Sequence, residues 1–370
     1  MSEGEKRVKI LAFYLPQYHT FPENDAWWGK GFTEWTNVKK AEPLFRGHYQ
    51  PQVPLNSEYY DLTDYSKMEE QMAMAKKHGL FGFCYYHYWF GGKLLMEKPL
   101  EMMRDHGGEK LPYCLCWANE PWTRAWDGNE REVLMPQNYG GEEEWEAHFQ
   151  YLLTFFRDPA YILEKGCPVL VIYRCNNIPN CEDMAAYWDR RAKEEGFSGI
   201  FLIEELNNFQ EEPVVASSKA YLEFEPAYTS KYKRTYFERG LDKARKILFN
   251  RLTGSDCLHV FDFGMIWRNM LRRKEAPKGG RERCPGAFAR WDNTPRRGRK
   301  SVFYVGAAPG AFEKFMRRQL RAADEEGCPY LFLNAWNEWG EGAYLEPDTK
   351  YGFAFLNALR RAADDGSENR

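Results

Sequence analysis

Glu338 and Glu341 are the residues whose type and spacing point most directly to chemistry. They stand three positions apart in the segment Asn337-Glu338-Trp339-Gly340-Glu341, on a predicted glycine-containing loop where two carboxyl groups can converge on one small site. Cleavage of a glycosidic acetal needs a proton donor for the leaving oxygen and a second carboxylate near the anomeric centre. Two glutamates in different surroundings provide such a pair. The segment therefore predicts a catalytic pair; the alternative is two solvated acids on a surface loop.

Aromatic and polar side chains recur where apolar segments of the chain end. The sequence has 25 Phe, 23 Tyr and 13 Trp, enough either to fill a core or to line a groove. Aromatic rings stack on the C–H face of a sugar, while carboxylate, amide and guanidinium groups bind its hydroxyls. Beside the two glutamates, the predicted substrate-binding residues are Tyr14, Gln17, His19, Glu34, Trp35, Tyr86, His87, Trp89, Trp117, Asn119, Glu120, Trp122, Arg124, Trp126, Asp127, Glu225, Tyr228, Asn337 and Trp339.

Eight short apolar segments precede these residues, and most have the composition of buried parallel strands. They are residues 8–14, 80–86, 111–117, 168–174, 199–205, 221–228, 285–291 and 329–336. Amphipathic helices are predicted between them, at 64–78, 142–156, 181–195 and 311–326. This alternation favours the α/β class and a (β/α)8 TIM barrel, whose active sites lie at the carboxyl ends of the strands. A doubly wound sheet is the rival, but the first strand lacks the glycine-rich turn typical of that fold.

Two regions interrupt the alternation within what we expect to be a single domain, residues 1–370. Residues 15–60 predict a long loop after the first strand, and residues 229–284 predict a basic helical insertion. Between positions 272 and 300 the chain has 11 basic and 3 acidic residues. Such a run is either a solvated face or a contact surface for an anionic glycan, a lipid phosphate or a membrane.

Composition and motifs exclude several classes of partner. Lys and Arg number 51 against 54 Asp and Glu, a net charge of −3, so we expect no nucleic-acid partner. The seven His are scattered and no glycine-rich phosphate motif occurs, so we expect no metal and no cofactor. No apolar run is long enough to predict a transmembrane helix, and no signal-peptide pattern is present. A cytoplasmic location is therefore expected, with peripheral contact to the inner membrane through 272–300 as an open alternative.

Five motifs together resemble a known family over residues 8–360. They are FYLPQYH at 13–19, GFTEW at 31–35, GHYQP at 47–51, WANEPWTRAWDG at 117–128 and NEWGEG at 337–342. In these the sequence resembles the WbsX-type proteins, which are glycoside hydrolase family 99-like and are often labelled glycosyltransferases of surface polysaccharide synthesis. The resemblance implies a (β/α)8 barrel related to retaining endo-α-mannosidases. It implies an oligo- or polysaccharide substrate, free or lipid-linked, and a role in O-antigen or lipopolysaccharide biosynthesis.

The resemblance also implies roles for the two glutamates. Glu338 would remove the proton from the sugar's own 2-hydroxyl, which then attacks the anomeric carbon to form an epoxide. Glu341 would protonate the leaving oxygen and later deprotonate the acceptor. One position departs from the pattern, because the hydrolases usually have His where this chain has Gly340.

Two other functions remain open from the sequence. A carbohydrate-binding or assembly protein would keep the barrel without turnover, although the intact glutamate pair argues against it. An unrelated barrel enzyme, such as a metal-dependent hydrolase, would lose its activity with a chelator. The sequence does not specify the sugar, its linkage, the choice between hydrolysis and transfer, or the oligomeric state.

Overall fold

A parallel sheet organises the computed structural model, which describes residues 7–124, 129–254, 258–273 and 277–368. The strands of these residues are β1 (Lys9–Tyr14), β2 (Gly82–Phe90), β3 (Lys93–Leu95), β4 (Tyr113–Trp117), β5 (Trp122–Arg124), β6 (Asn129–Met135), β7 (Leu163–Glu164), β8 (Cys167–Ile172), β9 (Phe201–Leu206), β10 (Ala220–Glu223), β11 (His259–Asp262), β12 (Glu282–Cys284), β13 (Gly286–Phe288), β14 (Val302–Val305), β15 (Tyr330–Asn334), β16 (Asn337–Glu338) and β17 (Ala343–Tyr344).

Helices flank the sheet. They are α1 (Pro22–Trp28), α2 (Glu34–Lys40), α3 (Tyr65–Lys77), α4 (Glu97–Asp105), α5 (Glu142–Phe156), α6 (Cys181–Glu194), α7 (Ala227–Tyr232), α8 (Tyr236–Thr253), α9 (Phe263–Arg272), α10 (Thr294–Arg297), α11 (Pro309–Glu325) and α12 (Ala354–Glu368). The four helices predicted from periodicity match α3, α5, α6 and α11 to within two residues at each end.

The strand order shows a nearly closed barrel. Parallel strands follow the order β12-β10-β9-β8-β4-β2-β1-β15-β13. The two strands at the ends of this order, β12 and β13, follow each other in the chain and are separated only by Pro285. The two edges of the sheet therefore lie next to each other, which nearly closes the barrel. Proline has no backbone N–H to donate, which explains the interruption between the two strands. The predicted α/β class and (β/α)8 barrel are confirmed.

The barrel interior is filled by aromatic rings that also form the floor of the site. Phe13 of β1 lies 5.3 Å from the rings of both Tyr86 and Phe224, and 5.7 Å from that of Phe332. Gly286 permits the close approach of β13, because a Cβ there would lie 1.9 Å from the Glu223 carbonyl oxygen. Any side chain at this position would push apart the strands at the point of closure.

Two predictions about the second half of the barrel were wrong in their bounds. The sixth strand was predicted to continue to Tyr228, but β10 ends at Glu223 and Tyr228 lies in α7. Pro226 directly precedes that helix and cannot donate to a strand ladder. The seventh strand begins before the predicted Pro285, and residues 282–284 of the predicted insertion belong to the barrel as β12. The rest of the insertion contributes α8 and α9, together with β11, which pairs with β14.

Candidate functional site

Three carboxyl groups surround one guanidinium at the carboxyl end of β15. Arg296 of α10 donates from Nε to Glu34 Oε1 at 2.8 Å, from Nη1 to Glu341 Oε1 at 2.8 Å and from Nη2 to Glu338 Oε2 at 3.0 Å. Glu34 and Glu338 are buried, and the Glu341 side chain is 25% exposed. The planar guanidinium thus fixes both predicted catalytic glutamates relative to each other.

This cluster retains a proton near neutral pH. The pKa of Glu338 is raised to about 8, chiefly by burial and also by the neighbouring Glu341 and Glu34, against the lowering effect of Arg296. Burial also raises the pKa of Glu341. The three carboxyls raise the pKa of the Arg296 guanidinium well above its usual value, although burial alone would lower it. One positive charge among three carboxyls favours a shared proton on the Glu338–Glu341 pair, which titrates as a unit.

Hydrogen bonds to the loop after β1 hold the glutamate segment in place. The Asn337 side chain accepts from Leu15 N at 2.7 Å and donates to Leu15 O at 3.0 Å. The Tyr18 hydroxyl donates to Asn337 O and accepts from Trp339 N at 3.3 Å. Asn337 and Trp339, both predicted to bind substrate, therefore contact protein on these sides.

Glu346 also holds the segment that contains Glu338 and Glu341, through a hydrogen bond from Trp339. It accepts from Trp339 Nε1 at 2.6 Å, Gln71 Nε2 at 2.7 Å and the Tyr60 hydroxyl at 2.8 Å. Burial raises the pKa of Glu346 from 4.5 to about 7, against the lowering effect of these donors. Its ionisation is therefore coupled to the packing of Trp339, which lies between the two catalytic candidates.

Substituting Glu346 with glutamine should change how stability depends on pH. A carboxyl whose pKa is raised on folding binds more protons in the folded chain than in the unfolded chain, so its contribution decreases as pH rises from about 4.5 to 7. The free energy of unfolding of the wild type should lose up to about 3 kcal/mol through this group over that range. Glu346→Gln should show a correspondingly shallower decrease in denaturant unfolding between pH 5 and 8. Parallel stability curves for the two proteins would contradict this coupling.

Gly340 lies against the guanidinium cluster. A Cβ built there would lie 1.7 Å from Glu34 Oε1 and 2.7 Å from Arg296 Nε. Its φ is not positive, so the backbone itself does not require glycine. The missing side chain is therefore what lets Glu34 and Arg296 meet directly beneath Glu338 and Glu341.

Gly340→Ala should displace the Glu34–Arg296 pair. Overpacking at such a site costs about 1–3 kcal/mol, so the free energy of unfolding should fall by that amount. Gly310→Ala is the matched control, because Gly310 lies in the first turn of α11 with nothing within 4 Å of its added Cβ. That substitution should be neutral or slightly stabilising. Equal effects of the two substitutions in denaturant unfolding would show that the space at residue 340 does not matter.

A cleft of about 680 Å³ opens above the cluster. Aromatic rings form much of its wall: Trp28, Tyr86, Tyr88, Trp122, Tyr173, Phe209, Phe224, Phe261, Trp291 and Tyr304. Glu338, Glu341 and Glu120 provide carboxyls, and Glu120 is ion-paired with Arg174. Gln17 Nε2 and Glu34 Oε2 are buried without a hydrogen-bond partner among the described residues. Aromatic faces beside such polar atoms suit a ligand with alternating C–H faces and hydroxyls.

The structure brings six of the predicted site residues to the cleft and leaves others outside it. Those that line it are Gln17, Tyr86, Glu120, Trp122, Glu338 and Glu341. Those that do not are Tyr14, His19, Glu34, Trp35, His87, Trp89, Trp117, Asn119, Glu225, Tyr228, Asn337 and Trp339. Trp126 and Asp127 lie outside the described residues, as does the side chain of Arg124.

Residues outside the cleft support its walls through specific contacts. Asn119 accepts from Arg174 N at 2.8 Å and donates to Arg174 O at 2.9 Å, which joins the loops after β4 and β8. Tyr14 donates to Gln71 of α3, on the helix-facing side of β1. His19 Nδ1 lies 3.0 Å from Pro16 O in its own loop. These side chains have the polarity expected of ligand-binding groups but are used within the protein.

Three further groups of predicted residues contact other parts of the protein and do not line the cleft. His87 Nε2 is 2.8 Å from His148 Nε2, Trp89 stacks on His148 at 4.7 Å, and Trp117 meets the same ring edge-on. Trp35 packs on Tyr18, Tyr60 and Trp339. Glu225 pairs with Arg273 at 2.6 Å, and the same guanidinium lies 5.3 Å from the Tyr228 ring.

Arg296 is the functional candidate that sequence reasoning missed. It belongs to the basic run 272–300, whose solvated or ligand-facing character was the expectation. Part of the run is exposed, but four of its arginines form ion pairs with buried carboxylates: Arg273, Arg283, Arg290 and Arg296. A motif match could not reveal this, because Arg296 and Glu34 are 262 positions apart. Within the described ranges, no group of three or more His, Cys, Asp or Glu could hold a metal ion.

Comparison with known proteins agrees with the motifs. The family model described as glycosyltransferase WbsX matches residues 10–359. The chain belongs to the WbsX glycosyltransferase family. Relatives of the chain include two proteins named WxcX, described as uncharacterized, from Xanthomonas campestris pv. campestris strains B100 and ATCC 33913. Each is 38% identical over 95% of this chain, and the chain spans 49% of their length. The resemblance inferred from sequence is confirmed.

Solved structures show the same fold as this WbsX-family chain. A GH99 endo-α-mannosidase from Bacteroides thetaiotaomicron in complex with bis-tris-propane aligns over 97% of both chains, with 13% identity and a TM-score of 0.56. A glycoside hydrolase-like protein aligns over 96% of this chain and 94% of its own, with 12% identity and a TM-score of 0.55. These alignments support the barrel architecture at very low sequence identity.

Proposed function

We propose that this chain is a retaining carbohydrate-active enzyme that cleaves or transfers α-linked, mannose-like glycosyl units. The observation that carries the proposal is the geometry of Glu338 and Glu341, which Arg296 holds together in the lining of an aromatic cleft. WbsX-family membership and a barrel like that of the GH99 endo-α-mannosidase support carbohydrate chemistry. The substrate is an oligo- or polysaccharide, and the biological context is cell-surface polysaccharide synthesis of the O-antigen or lipopolysaccharide type.

The proposed reaction has two steps in which protons and bonds balance. Glu338 takes the proton of the 2-hydroxyl, and the resulting oxygen attacks C1 as the C1–O bond to the leaving group breaks. Glu341 gives its proton to the leaving oxygen, which leaves a 1,2-anhydro sugar in the cleft. Glu341 then removes a proton from water or an acceptor hydroxyl, whose oxygen opens the epoxide at C1, and Glu338 returns its proton to the 2-oxygen. Two inversions at C1 give net retention.

The charges in the cluster support the separate roles of Glu338 as base and Glu341 as acid. The first step requires one proton on the pair. Burial raises the pKa of Glu338 to about 8 and raises that of Glu341 above its usual value, and both shifts favour keeping that proton. Arg296 contacts both carboxyls and stabilises the charge that each gains in turn. The proposed roles require this proton to lie on Glu341, the more exposed of the two carboxyls, when a sugar hydroxyl approaches Glu338.

Product analysis by mass spectrometry tests the proposal. Wild type and Glu341→Gln are incubated with α-mannosyl and α-rhamnosyl oligosaccharides, with and without sugar acceptors. Cleavage in water that is lost in the variant identifies a hydrolase, and a product that requires the acceptor identifies a transferase. No turnover by either protein, with sugar binding intact in both, would reject cleavage or transfer from these glycosides and leave an activated donor or a carbohydrate-binding role.

A further inference from the structure

Helix α8 presents an apolar stripe to solvent. Six of the eleven exposed large hydrophobic side chains among the described residues lie on it: Tyr236, Phe237, Leu241, Ile247, Leu248 and Leu252. Phe237, Leu241, Leu248 and Leu252 follow a spacing of i, i+4, i+11 and i+15, which places them on one helical face. Tyr236 is 96% exposed, Phe237 76% and Leu252 70%. A monomeric protein rarely leaves so much apolar surface contiguous without a partner.

The protein-facing side of α8 attaches mainly through polar groups. Asp242 is buried and pairs with Arg234 and Arg245 at 2.6 Å each. Phe249 contributes the apolar contact, with its ring 5.4 Å from Phe45 and 5.7 Å from Phe303. The helix is therefore fixed by an ion-pair network, and its larger apolar face points away from the barrel.

Positive charge predominates around the apolar stripe. Lys231, Arg239, Lys243 and Arg251 are exposed on or next to α8. Its two acids face the protein, because Asp242 is ion-paired and Glu238 caps the helix at Thr235 and binds Asn269. The outer surface thus combines apolar side chains with positive charge. Two such surfaces would repel each other across a dimer interface, whereas anionic headgroups complement the charge.

We infer that α8 lies in the interface of an anionic lipid bilayer and attaches the protein peripherally to it. An amphipathic helix with Phe and Leu on one face and Lys or Arg beside it binds in this way, parallel to the membrane plane. No helix in the described part of the chain is both long and apolar enough to cross a membrane. The surface differs from the run 272–300 proposed from sequence, in which four arginines are ion-paired within the protein.

Binding of α8 to a membrane would determine where the cleft meets its substrate. Lys231 and Arg234 line the cleft, and Arg234 also pairs with Asp242 of α8, so the helix and one cleft wall are directly connected. A docked helix would hold the cleft near the headgroups, within reach of a glycan attached to a lipid phosphate. This consequence rests on the proposed function, whereas membrane binding by α8 does not.

Vesicle sedimentation with the full chain tests the inference. Wild type is expected to bind phosphatidylcholine vesicles containing about one quarter phosphatidylglycerol at least about tenfold more strongly than phosphatidylcholine alone, less strongly at high salt. Phe237→Ser combined with Leu248→Ser should weaken that binding at least about tenfold. Leu163→Ser with Val214→Ser is the matched control, because both side chains are exposed elsewhere, and it should bind as wild type does.

Three results would overturn the inference. They are no binding to either vesicle, equal binding by wild type and the α8 variant, and a wild-type dimer in sedimentation velocity that becomes monomeric in the variant. The last result would identify the stripe as a self-association surface. Turnover of a soluble oligosaccharide should be unchanged by the α8 substitutions, so loss of vesicle binding and failure of the proposed chemistry are separate readouts.

Discussion

Glu341→Gln should lower kcat for an ordinary glycoside by about 10²–10⁴-fold, with substrate affinity changed by only a few fold. The amide keeps the shape of the side chain and its contact with Arg296 Nη1, which is 2.8 Å in the wild type. It cannot supply the proton that the leaving oxygen requires. The measurement is kcat and KM of wild type and variant on a substrate found by the product screen. A variant with wild-type kcat would remove Glu341 from the proton-transfer step.

A substrate with an activated leaving group separates the two glutamates. A glycosyl fluoride leaves without a proton, so Glu341→Gln should recover most of the first-step rate with it. Glu338→Gln should not recover, because deprotonation of the 2-hydroxyl is still required. Rescue of Glu338→Gln alone would indicate that the acid and the base are exchanged. Rescue of both variants would show that Glu338 is not required to deprotonate the 2-hydroxyl.

The barrel could be predicted because parallel strands buried on both faces have a strong sequence pattern. Residues 168–172 are all apolar, and β8 forms there with all five of them buried. The sixth and seventh strands were less predictable, since both are short and bounded by proline. Whether Pro226 and Pro285 end a strand or merely interrupt it depends on neighbours that are distant in sequence, such as Gly286 against Glu223.

The candidate site was predictable only in its local part. Glu338 and Glu341 share one short segment, so their convergence follows from spacing. The direction of a side chain does not follow from spacing. Trp122 faces the cleft, whereas Trp117, five residues earlier, packs on His148 and Trp188. Arg296 could not be predicted for another reason. A basic residue in a basic run is expected on the surface, and only the folded structure shows its buried acidic partners.

Arg296→Met should be the most damaging single substitution for stability near pH 8. The guanidinium is the cation that contacts Glu34, Glu338 and Glu341, and removing it leaves three carboxyls together with little water. Breaking a buried ion pair costs about 3–5 kcal/mol, which should appear in denaturant unfolding at pH 8. Arg361→Met is the control, because its ion pair with Glu313 involves an arginine that is 55% exposed, and loss of such a pair costs less than about 1 kcal/mol.

Acid should restore much of the stability lost in Arg296→Met. Without the guanidinium the three carboxyls bind protons more tightly in the folded chain than in the unfolded chain, so folding becomes less favourable as pH rises. The difference in the free energy of unfolding between wild type and variant should therefore shrink toward pH 5. Adding Glu34→Gln to Arg296→Met removes one carboxylate from the cluster and should recover part of the loss at pH 8, which a double-mutant cycle measures as coupling. A cost that is independent of pH, or strictly additive effects of the two substitutions, would show that Arg296 supports the fold by packing and does not hold the charges of the catalytic pair.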